Sequence, residues 1–289
     1  MFCGGKGKQM IIYSPSATMT FARCPQMWQF YREGWQSKYI GKAAVTAAYG
    51  VGYARAMETL FHSMPDPAPG DIEKAAFWGV EAAQRYIHTR IEAGGVVGSD
   101  GTSVGLISER LTKAVVTFAK RWICPRSWHS FMPELTFPEH GNCRVDLLCQ
   151  TDFGPCIIDF KTKVTKPQAY ALQKFVSDFE HSWQFYHYVW AARENGIHVT
   201  SFAVIVVSFE GFSITQEQWV VDEEYLEQWE HSAREWWQRM DEAKNNAVYP
   251  MAPDHSDKYG LCRYADVCLQ GDRWNSERWE RNLIHVPRD

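Results

Sequence analysis

Two aspartates and a lysine in neighbouring apolar segments are the residues of this chain whose types and spacing could do chemistry. Asp146 lies in the segment 143–150, and Asp159 and Lys161 lie in the segment 156–161. Two carboxylates held close together repel each other unless a cation lies between them, and clustered carboxylate oxygens suit Mg²⁺ or Mn²⁺. The lysine can then hold a phosphate or a water. These residue types indicate a metal and phosphate site, provided that the fold brings them together.

The spacing predicts that a β-hairpin does so. Both segments are short, apolar and β-branched enough to be strands, and Thr151-Asp-Phe-Gly154 between them is a turn signal. A turn centred on the Asp-Phe pair places Asp146 directly opposite Asp159, with Cβ atoms about 4.5–5.5 Å apart. Lys161 lies two residues further along and therefore projects from the same face.

An Asp-x-Lys pair on a strand is also common as an ion pair on a solvated face, so the motif alone is weak. Here the flanking residues Ile157, Ile158 and Phe160 are apolar. They predict that Asp159 and Lys161 are partly buried, and buried charges need partners. The flanks therefore favour a site over a solvated salt bridge.

These motifs together resemble the core of the PD-(D/E)xK nuclease superfamily, in particular its RecB-like branch with Cas4 and AddB-type nucleases. Arg144-Val-Asp146 followed by Ile157-Ile-Asp159-Phe-Lys161-Thr is similar to the superfamily's central motif. Other segments in the same order resemble further motifs of the branch: Ser14-Pro-Ser16 leading into Phe21-Ala-Arg-Cys24-Pro25, Pro133-Glu134-Leu-Thr-Phe, and Gln184-Phe-Tyr-His-Tyr188. The resemblance spans roughly residues 11–270 and implies a metal-dependent deoxyribonuclease, with an exonuclease acting on DNA ends or single strands favoured.

The resemblance also implies roles for the hairpin residues. Asp146 and Asp159 would bind Mg²⁺ or Mn²⁺, assisted by the backbone carbonyl of Phe160. Lys161 would orient or activate the attacking water and offset charge in the transition state, as positive groups do in phosphoryl chemistry.

Supporting residues are expected from two other segments. Gln184 and Tyr188 are i and i+4 on a predicted helix, so they share one face and could both reach the site. The alternative is a polar stripe on an amphipathic helix. Glu134 would either support the metal ligands or be an exposed strand residue.

One position departs from the family pattern. Members often carry a histidine on an early helix, in a Gly-x-x-x-His arrangement, that completes the metal sphere. Within Tyr49-Gly50-Val-Gly-Tyr-Ala54-Arg-Ala-Met-Glu58, Ala54 occupies that position. Mg²⁺ keeps several waters in any case, so losing one ligand does not abolish a carboxylate site. The substitution nevertheless motivates an alternative function, that of a non-catalytic DNA-binding or assembly subunit. A hydrolase acting on nucleotides or RNA is a third reading.

The cysteines suggest a second metal site. The chain has eight cysteines, and its expected cytoplasmic location, in a bacterial cell or a phage-infected host, argues against a disulfide framework. In the Cas4 and AddB branch, one N-terminal and three C-terminal cysteines hold a [4Fe–4S] cluster. Cys24, Cys262 and Cys268 match this pattern, whereas Ser256 stands where the fourth cysteine would be expected. The tail Asp257-Lys-Tyr259-Gly260-Leu-Cys262 resembles that of phage members.

Three interpretations of the incomplete cysteine set stay open. One is a cluster completed by His255, Asp254 or Ser256. Another is a Zn²⁺ site formed by Cys24, Cys262, Cys268 and His255, which is chemically reasonable. The last is that no metal binds and ordinary packing holds the chain end.

The composition limits the kinds of partner that the protein is expected to bind. The formal net charge of −4 excludes a protein that coats DNA by bulk attraction, so nucleic-acid affinity needs a local basic patch. Lys163, Lys166 and Lys174, after the catalytic strand, are candidates, and a solvated helix entry is the alternative. Some of the thirteen tryptophans could stack on bases of single-stranded DNA if they are exposed. The resemblance implies DNA as partner, with a helicase, recombinase or single-strand-binding protein as candidate protein partners.

Periodicity predicts an α/β chain. Helices are expected over 16–33, 42–62, 71–93, 104–122, 168–195 and 222–246, and strands over 131–137, 143–150, 156–161, 200–208 and 213–220. This order is that of the restriction-endonuclease-like αβββαβ core, a mixed sheet flanked by helices. We expect a helical N-terminal part (1–125), a nuclease core (126–248) and a cysteine-containing C-terminal tail (249–289). No run of about 18 apolar residues predicts a membrane span.

Overall fold

The structure, a computed structural model, describes most of the chain. It covers residues 11–37, 39–40, 42–64, 67–97, 106–163, 169–209, 211–250, 256–257, 260–261 and 283–286. The helices within these ranges are α1 (Pro15–Arg23), α2 (Pro25–Arg32), α3 (Lys42–Phe61), α4 (Pro69–Glu92), α5 (Leu106–Arg121), α6 (Ala169–Ser177), α7 (Trp183–Glu194) and α8 (Glu223–Asn246). The strands are β1 (Trp35–Ser37), β2 (Tyr39–Ile40), β3 (Val96–Val97), β4 (His129–Phe137), β5 (Cys143–Thr151), β6 (Gly154–Lys163), β7 (Ser201–Ser208), β8 (Ile214–Val220), β9 (Ser256–Asp257), β10 (Gly260–Leu261) and β11 (Leu283–His285).

A five-stranded mixed sheet with the order β4-β5-β6-β7-β8 forms the centre of the fold. Neighbouring strands are antiparallel except for β6 and β7, which are parallel and joined by a crossover that contains α6 and α7. This arrangement of a mixed sheet between helices, preceded by a helical N-terminal region, confirms the predicted restriction-endonuclease-like α/β fold. β7 is apolar between its two terminal serines, and β6 is apolar from Cys156 to Phe160 except for Asp159, because helices cover both faces of these strands.

The β5–β6 hairpin has the predicted register. Leu147 lies opposite Ile158, and the pairing continues to Thr151 opposite Gly154 at the turn. Gly154 has φ +113°, a conformation that L side chains rarely adopt, so glycine suits this end of the turn. The turn therefore sets the register that brings Asp146 and the start of the Asp-x-Lys motif together.

Two apolar layers cover the sheet. The layer toward α3, α4 and α5 includes the strand residues Leu147, Cys149, Cys156, Ile158, Phe160, Ala203, Ile205 and Val207. The layer toward α1, α7 and α8 includes Val145, Leu148, Ile157, Phe202, Val204 and Val206. Asp159 lies between Ile158 and Phe160 in β6, so the alternation of side chains turns it toward α7.

On β4 and β5, the alternation of side chains between the two faces of the sheet is interrupted near Asp159. Val145 packs in the α7 layer, but Leu147, two residues later, packs in the α3 layer. On β4, Phe131 packs against the α3 layer, whereas Leu135 packs against the α7 layer. Residues two or four apart on a regular strand would share a face. Both strands therefore change face at Asp146 and at Glu134, which has φ +56°.

Two predicted helices are each divided, so those parts of the prediction were wrong. The helix predicted over 16–33 is broken at Cys24, whose backbone is extended with φ −160° and ψ 109°. Cys24 precedes Pro25, and a residue before proline disfavours the helical conformation. The helix predicted over 168–195 is also two helices, because Ser182 begins α7 by accepting the N–H of Gln184.

The helices α3 and α4 approach each other at two glycines. A Cβ atom on Gly52 would lie 2.6 Å from the carbonyl oxygen of Gly79, and a Cβ on Gly79 would lie 2.7 Å from that of Gly52. The two backbones are thus in direct contact at this crossing. None of the helices in the described ranges combines the length and apolar character that crossing a bilayer requires.

Candidate active site

A bonded network joins most of the predicted site residues. Asp159 is almost fully buried, with 1% of its surface exposed, and its Oδ2 lies 2.5 Å from Nζ of Lys161. Gln184 on α7 accepts from Nζ of Lys161 at 3.2 Å and donates from Nε2 to Oδ1 of Asp159 at 3.1 Å. The same Nε2 lies 2.5 Å from the hydroxyl of Tyr188. The i and i+4 positions on α7 thus face β6, as predicted.

Asp146 stands beside this network on β5. Its Oδ2 accepts the backbone N–H of Phe160 at 2.9 Å. A side-chain oxygen of β5 thus binds a backbone donor of β6 at the point where the alternation of faces is interrupted. Burial, followed by the charge of Asp159, raises the pKa of Asp146 to about 7. Lys161 and the N–H of Phe160 oppose the shift but do not cancel it. Two carboxylates are therefore held together at a cost in electrostatic energy.

This arrangement fits a divalent cation. Oδ2 of Asp159 is buried and, apart from its ion pair with Lys161, has no hydrogen-bond partner in the described part of the chain. A cation between Asp146 and Asp159 would replace the repulsion that raises the pKa of Asp146 with attraction. Carboxylate oxygens are the ligands that Mg²⁺ and Mn²⁺ prefer, and Mg²⁺ usually keeps several waters beside one or two carboxylates. Among the described residues, no group of three or more histidines, cysteines and acidic residues forms a fuller metal site.

Glu134 lies at the edge of the site. Its Oε2 lies 2.8 Å from Nε of Arg144, and this carboxylate contributes to the raised pKa of Asp146. Burial raises the pKa of Glu134 itself; the charge of Arg144 opposes this shift, and that of Glu58 adds to it. Glu134 is thus a mostly buried, paired residue rather than an exposed strand residue. Arg144 was quoted in the motif but given no role, although its position two residues before Asp146 could have suggested one.

Two phenylalanines near the site were missed by sequence reasoning. The ring centroid of Phe179 lies 5.6 Å from Nζ of Lys161, and that of Phe175 lies 3.6 Å from Nζ of Lys163. The two rings contact each other edge to face at 5.1 Å. Cations over aromatic faces are stabilised by the ring quadrupole. The i, i+4 spacing of the two phenylalanines was the available signal.

The lysines predicted to bind DNA already have partners where they are described. Lys163 packs on Phe175, and Nζ of Lys174 pairs with Asp178 at 3.0 Å on the exposed surface. Exposed ion pairs of this kind contribute little, so Lys174 could exchange its partner for a phosphate. Lys166 lies outside the described residues. DNA binding by this group stays a prediction.

Most of the predicted cysteine metal site lies outside the described residues. Cys262, Cys268, Asp254 and His255 all fall there, and Ser256 begins the short strand β9. Cys24 is buried, and its Sγ accepts the N–H of Met27, capping α2. Neither the iron–sulfur cluster nor the zinc alternative is tested, and both stay predictions. Ala54 lies on α3.

Comparison with known protein families identifies the family of this chain. The family model for the PD-(D/E)XK nuclease superfamily matches residues 12–269. The chain therefore belongs to the PD-(D/E)XK nuclease superfamily, whose nucleases usually use divalent metals.

A solved structure and the curated proteins were also compared with the chain. A protein from Eubacterium rectale, provisionally named an exonuclease, is 14% identical, with a TM-score of 0.47. The match covers 90% of this chain and 88% of that one. No curated protein matches the chain. The family model alone confirms the superfamily, whereas the RecB-like branch stays a prediction.

Proposed function

We propose that this protein is a divalent-metal-dependent deoxyribonuclease that hydrolyses phosphodiester bonds in DNA recombination, repair or processing. The observation that supports this most is the bonded network of Asp159, Lys161 and Gln184 beside Asp146. Its residues belong to the segments that carry the superfamily's motifs. By analogy with the RecB-like branch, an exonuclease acting on DNA ends or single strands is favoured.

Each residue of the network has a task in this proposal. Asp146 and Asp159 would hold Mg²⁺ or Mn²⁺, with the carbonyl of Phe160 as a further ligand. When bound, the metal would polarise the phosphate and lower the pKa of a water. Lys161 offsets negative charge that develops on the phosphoryl oxygens and orients the attacking water. Gln184 fixes both Asp159 and Lys161, because its amide bonds to one with the nitrogen and to the other with the oxygen.

Two features of the network suit it to hold this geometry. Tyr188 is anchored against Gln184, and burial raises the pKa of its phenol well above the usual range, so it stays protonated. Most of the network's atoms are shielded from solvent, which strengthens electrostatic interactions. Tyr188 therefore acts on the positioning of Gln184 rather than as a base.

A second candidate function rests on Ala54. A nuclease fold without the usual histidine could serve as a DNA-binding or assembly subunit with weak or no catalysis. Retention of the Asp159, Lys161 and Gln184 network favours the enzyme, because a subunit that only binds DNA gains nothing from a buried like-charge pair. DNA binding without turnover under Mg²⁺ or Mn²⁺ would favour the subunit.

The test is a cleavage assay with labelled linear single- and double-stranded DNA and Mg²⁺ or Mn²⁺. We expect Asp159→Asn to lower the rate by about 10³-fold or more, because it removes a charged metal ligand, and Lys161→Met by about 10²-fold, because it removes a positive charge that acts in the transition state. Asp152→Asn at the exposed hairpin turn is the matched control and should cleave normally. Cleavage that continues undiminished in both site variants would disprove the assignment.

A further inference from the structure

A polar cleft lies between α3 and α4, apart from the carboxylate site. It has a volume of about 300 Å³ and occupies the part of the helix pair between the Gly52–Gly79 crossing and the connection of the two helices. Its lining residues are Arg55, Glu58, Thr59, His62, Ser63, Asp71, Lys74 and Trp78. The cleft combines two cationic side chains and one large aromatic ring with two carboxylates. Cations and aromatic rings are the groups that bind single-stranded nucleic acids.

The formal charges of Arg55 and Lys74 balance those of Glu58 and Asp71, but the four groups differ in what they already bind. Glu58 pairs with Arg55, and Asp71 accepts the N–H of Ala68 at 3.0 Å as part of the cap of α4. Both carboxylates are therefore engaged with the protein. Lys74 makes no ion pair within the described ranges, and Arg55 keeps donors beyond those that one carboxylate can use. A phosphate would find free donors here.

Trp78 gives the cleft a surface on which a base could stack. Its side chain is 38% exposed although it is large and apolar, and it is held edge to face against Phe77, with ring centroids 5.2 Å apart. A fixed, partly exposed indole can stack on a base of any sequence. Only an unpaired base offers a free face, because the bases of a duplex are already stacked on one another. The ring therefore favours a single strand.

The cleft adjoins the candidate active site through α3. This helix packs on β4, β5 and β6, and a Cβ on Gly50 would lie 3.9 Å from Oγ1 of Thr162, the residue after Lys161. At the cleft, the charges of Arg55 and Glu58 both act on Glu134. Glu134 in turn lies close enough to Asp146 to act on its charge. The edge of the cleft formed by Arg55 and Glu58 is thus the edge nearest the carboxylates.

We propose that the α3–α4 cleft binds the unpaired nucleotides of single-stranded DNA next to the phosphodiester bond at Asp146 and Asp159. Trp78 stacks on a base, and Lys74 and Arg55 bind the flanking phosphates. This proposal rests on the proposed nuclease function and specifies its substrate as a single strand or a frayed end. It makes the N-terminal helices part of the substrate-binding surface rather than a scaffold alone.

Photochemical cross-linking tests the location without any need for turnover. Wild-type protein and a single-stranded oligonucleotide that contains 5-iodouracil would be irradiated without divalent metal, and the cross-linked peptides would be identified by mass spectrometry. We expect a cross-link to the peptide of α4 that contains Trp78. Cross-links that occur only elsewhere on the protein would overturn the proposal, whether or not the protein cleaves DNA.

Binding and cleavage by variants test the roles of the residues. We expect Trp78→Ala to weaken single-strand binding about tenfold and Trp78→Phe to restore most of it, because a ring is retained. Lys74→Ala should reduce the salt dependence of binding by about one phosphate contact. Phe153→Ala, which removes an exposed ring at the hairpin turn, and Lys120→Ala, which removes a charge from α5, are the matched controls.

The outcomes separate this proposal from the proposed function. If the wild type cleaves DNA but Trp78→Ala binds and cleaves single strands like Phe153→Ala, the cleft proposal is overturned and the nuclease function stands. If the wild type binds single strands without cleaving them and Trp78→Ala no longer binds them, the cleft proposal is supported and the nuclease function is overturned. Equal thermal stability of the Trp78 variants and the wild type would show that the variants are folded.

Discussion

Two groups of buried polar side chains lie on successive turns of α7 and differ in how their atoms are paired. In the candidate active site, Gln184 bonds to Asp159, Lys161 and Tyr188. In the second group, which we call the aromatic cluster, Nε2 of His187 donates to a backbone carbonyl, whereas its Nδ1 has no partner in the described part of the chain. The ring of His187 contacts those of Trp190, Trp229 and Trp237, and Trp183 packs on Trp229.

Burial shifts a pKa in both regions, but from different causes. At the site, burial and the neighbouring charge of Asp159 raise the pKa of Asp146 to about 7. In the aromatic cluster, burial lowers the pKa of His187 to about 4, so the ring is neutral at physiological pH. A cation can relieve the first shift, because part of it comes from a like charge. Buried polar atoms alone therefore do not identify a reactive site, whereas charged side chains that lie close together and bond to one another do.

The largest change in stability is expected for a substitution in the aromatic cluster. His187→Ala should lower the free energy of unfolding by about 3 kcal/mol, because it leaves a cavity among packed rings and removes a buried hydrogen bond. Urea denaturation measures this change. The cleavage rate of the folded protein should stay within about twofold of wild type. A large loss of rate at unchanged stability would show that the aromatic cluster takes part in catalysis.

A smaller effect is expected on the catalytic side. Gln184→Ala should reduce the cleavage rate about 10- to 100-fold, equivalent to roughly 1.4–2.7 kcal/mol, because Asp159 and Lys161 lose the group that fixes them. Stability should change by less than about 1 kcal/mol. Steady-state cleavage and thermal unfolding would be measured together, with Gln228→Ala on the exposed face of α8 as the control. Equal losses in both variants would contradict a positioning role.

The pH dependence of stability should report the raised pKa of Asp146. A carboxyl whose pKa is higher in the folded than in the unfolded protein binds more protons when folded, so stability falls as pH rises between the two pKa values. For Asp146 this window runs from the ordinary aspartate pKa of 3.8 to about 7. Metal-free wild type should therefore lose stability as the pH rises across this window.

Two further experiments, a substitution and the addition of Mg²⁺, identify the group responsible for that pH dependence. Asp146→Asn should flatten the dependence, because the amide does not titrate. Mg²⁺ should restore stability at pH 7, because the cation binds the ionised form. Denaturation curves at several pH values, with and without Mg²⁺, measure both effects. A profile in Asp146→Asn that matches wild type would assign the dependence to another group.

The smallest effect concerns an unpaired donor of the aromatic cluster. Nε1 of Trp190 is buried without a partner among the described residues. Trp190→Phe removes this donor and part of a ring, and the two changes oppose each other, so stability should change by less than about 1 kcal/mol. Chemical denaturation measures it, with Trp190→Ala as a reference that should cost about 3 kcal/mol or more. A loss beyond about 2 kcal/mol in Trp190→Phe would indicate that the indole N–H is paired.

The sequence predicted the hairpin correctly because its register depends on a local turn. The pairing of Thr151 with Gly154 follows from two turn residues, and every later pair follows from the first. The likeness of Gln184 and Tyr188 to a family motif likewise indicated the helix face that meets Asp159. Local periodicity did not show the division of either long helix. Pro25 and Ser182 were the signals, but the apolar pattern continues across both breaks.

Other features depend on contacts that a sequence does not display. The change of face at Glu134 requires a positive φ at a residue other than glycine, and no residue type announces it. The rings that cover Lys161 and Lys163 come from beyond the end of β6, so a count of basic residues overestimated the free charge there. The cleft at Trp78 likewise exists only because α3 and α4 pack together.

The two-residue turn of the β5–β6 hairpin has a consequence for how the protein folds. A hairpin closes in roughly 1–10 μs, whereas the parallel pairing of β6 with β7 must wait for the crossover that carries α7. Asp146 and Asp159 therefore meet early, before Gln184 arrives to hold Asp159. During that interval, protons or a divalent cation must offset the repulsion of the two carboxylates. A divalent cation that binds these two carboxylates would then also assist folding, and refolding should be faster when Mg²⁺ or Mn²⁺ is present.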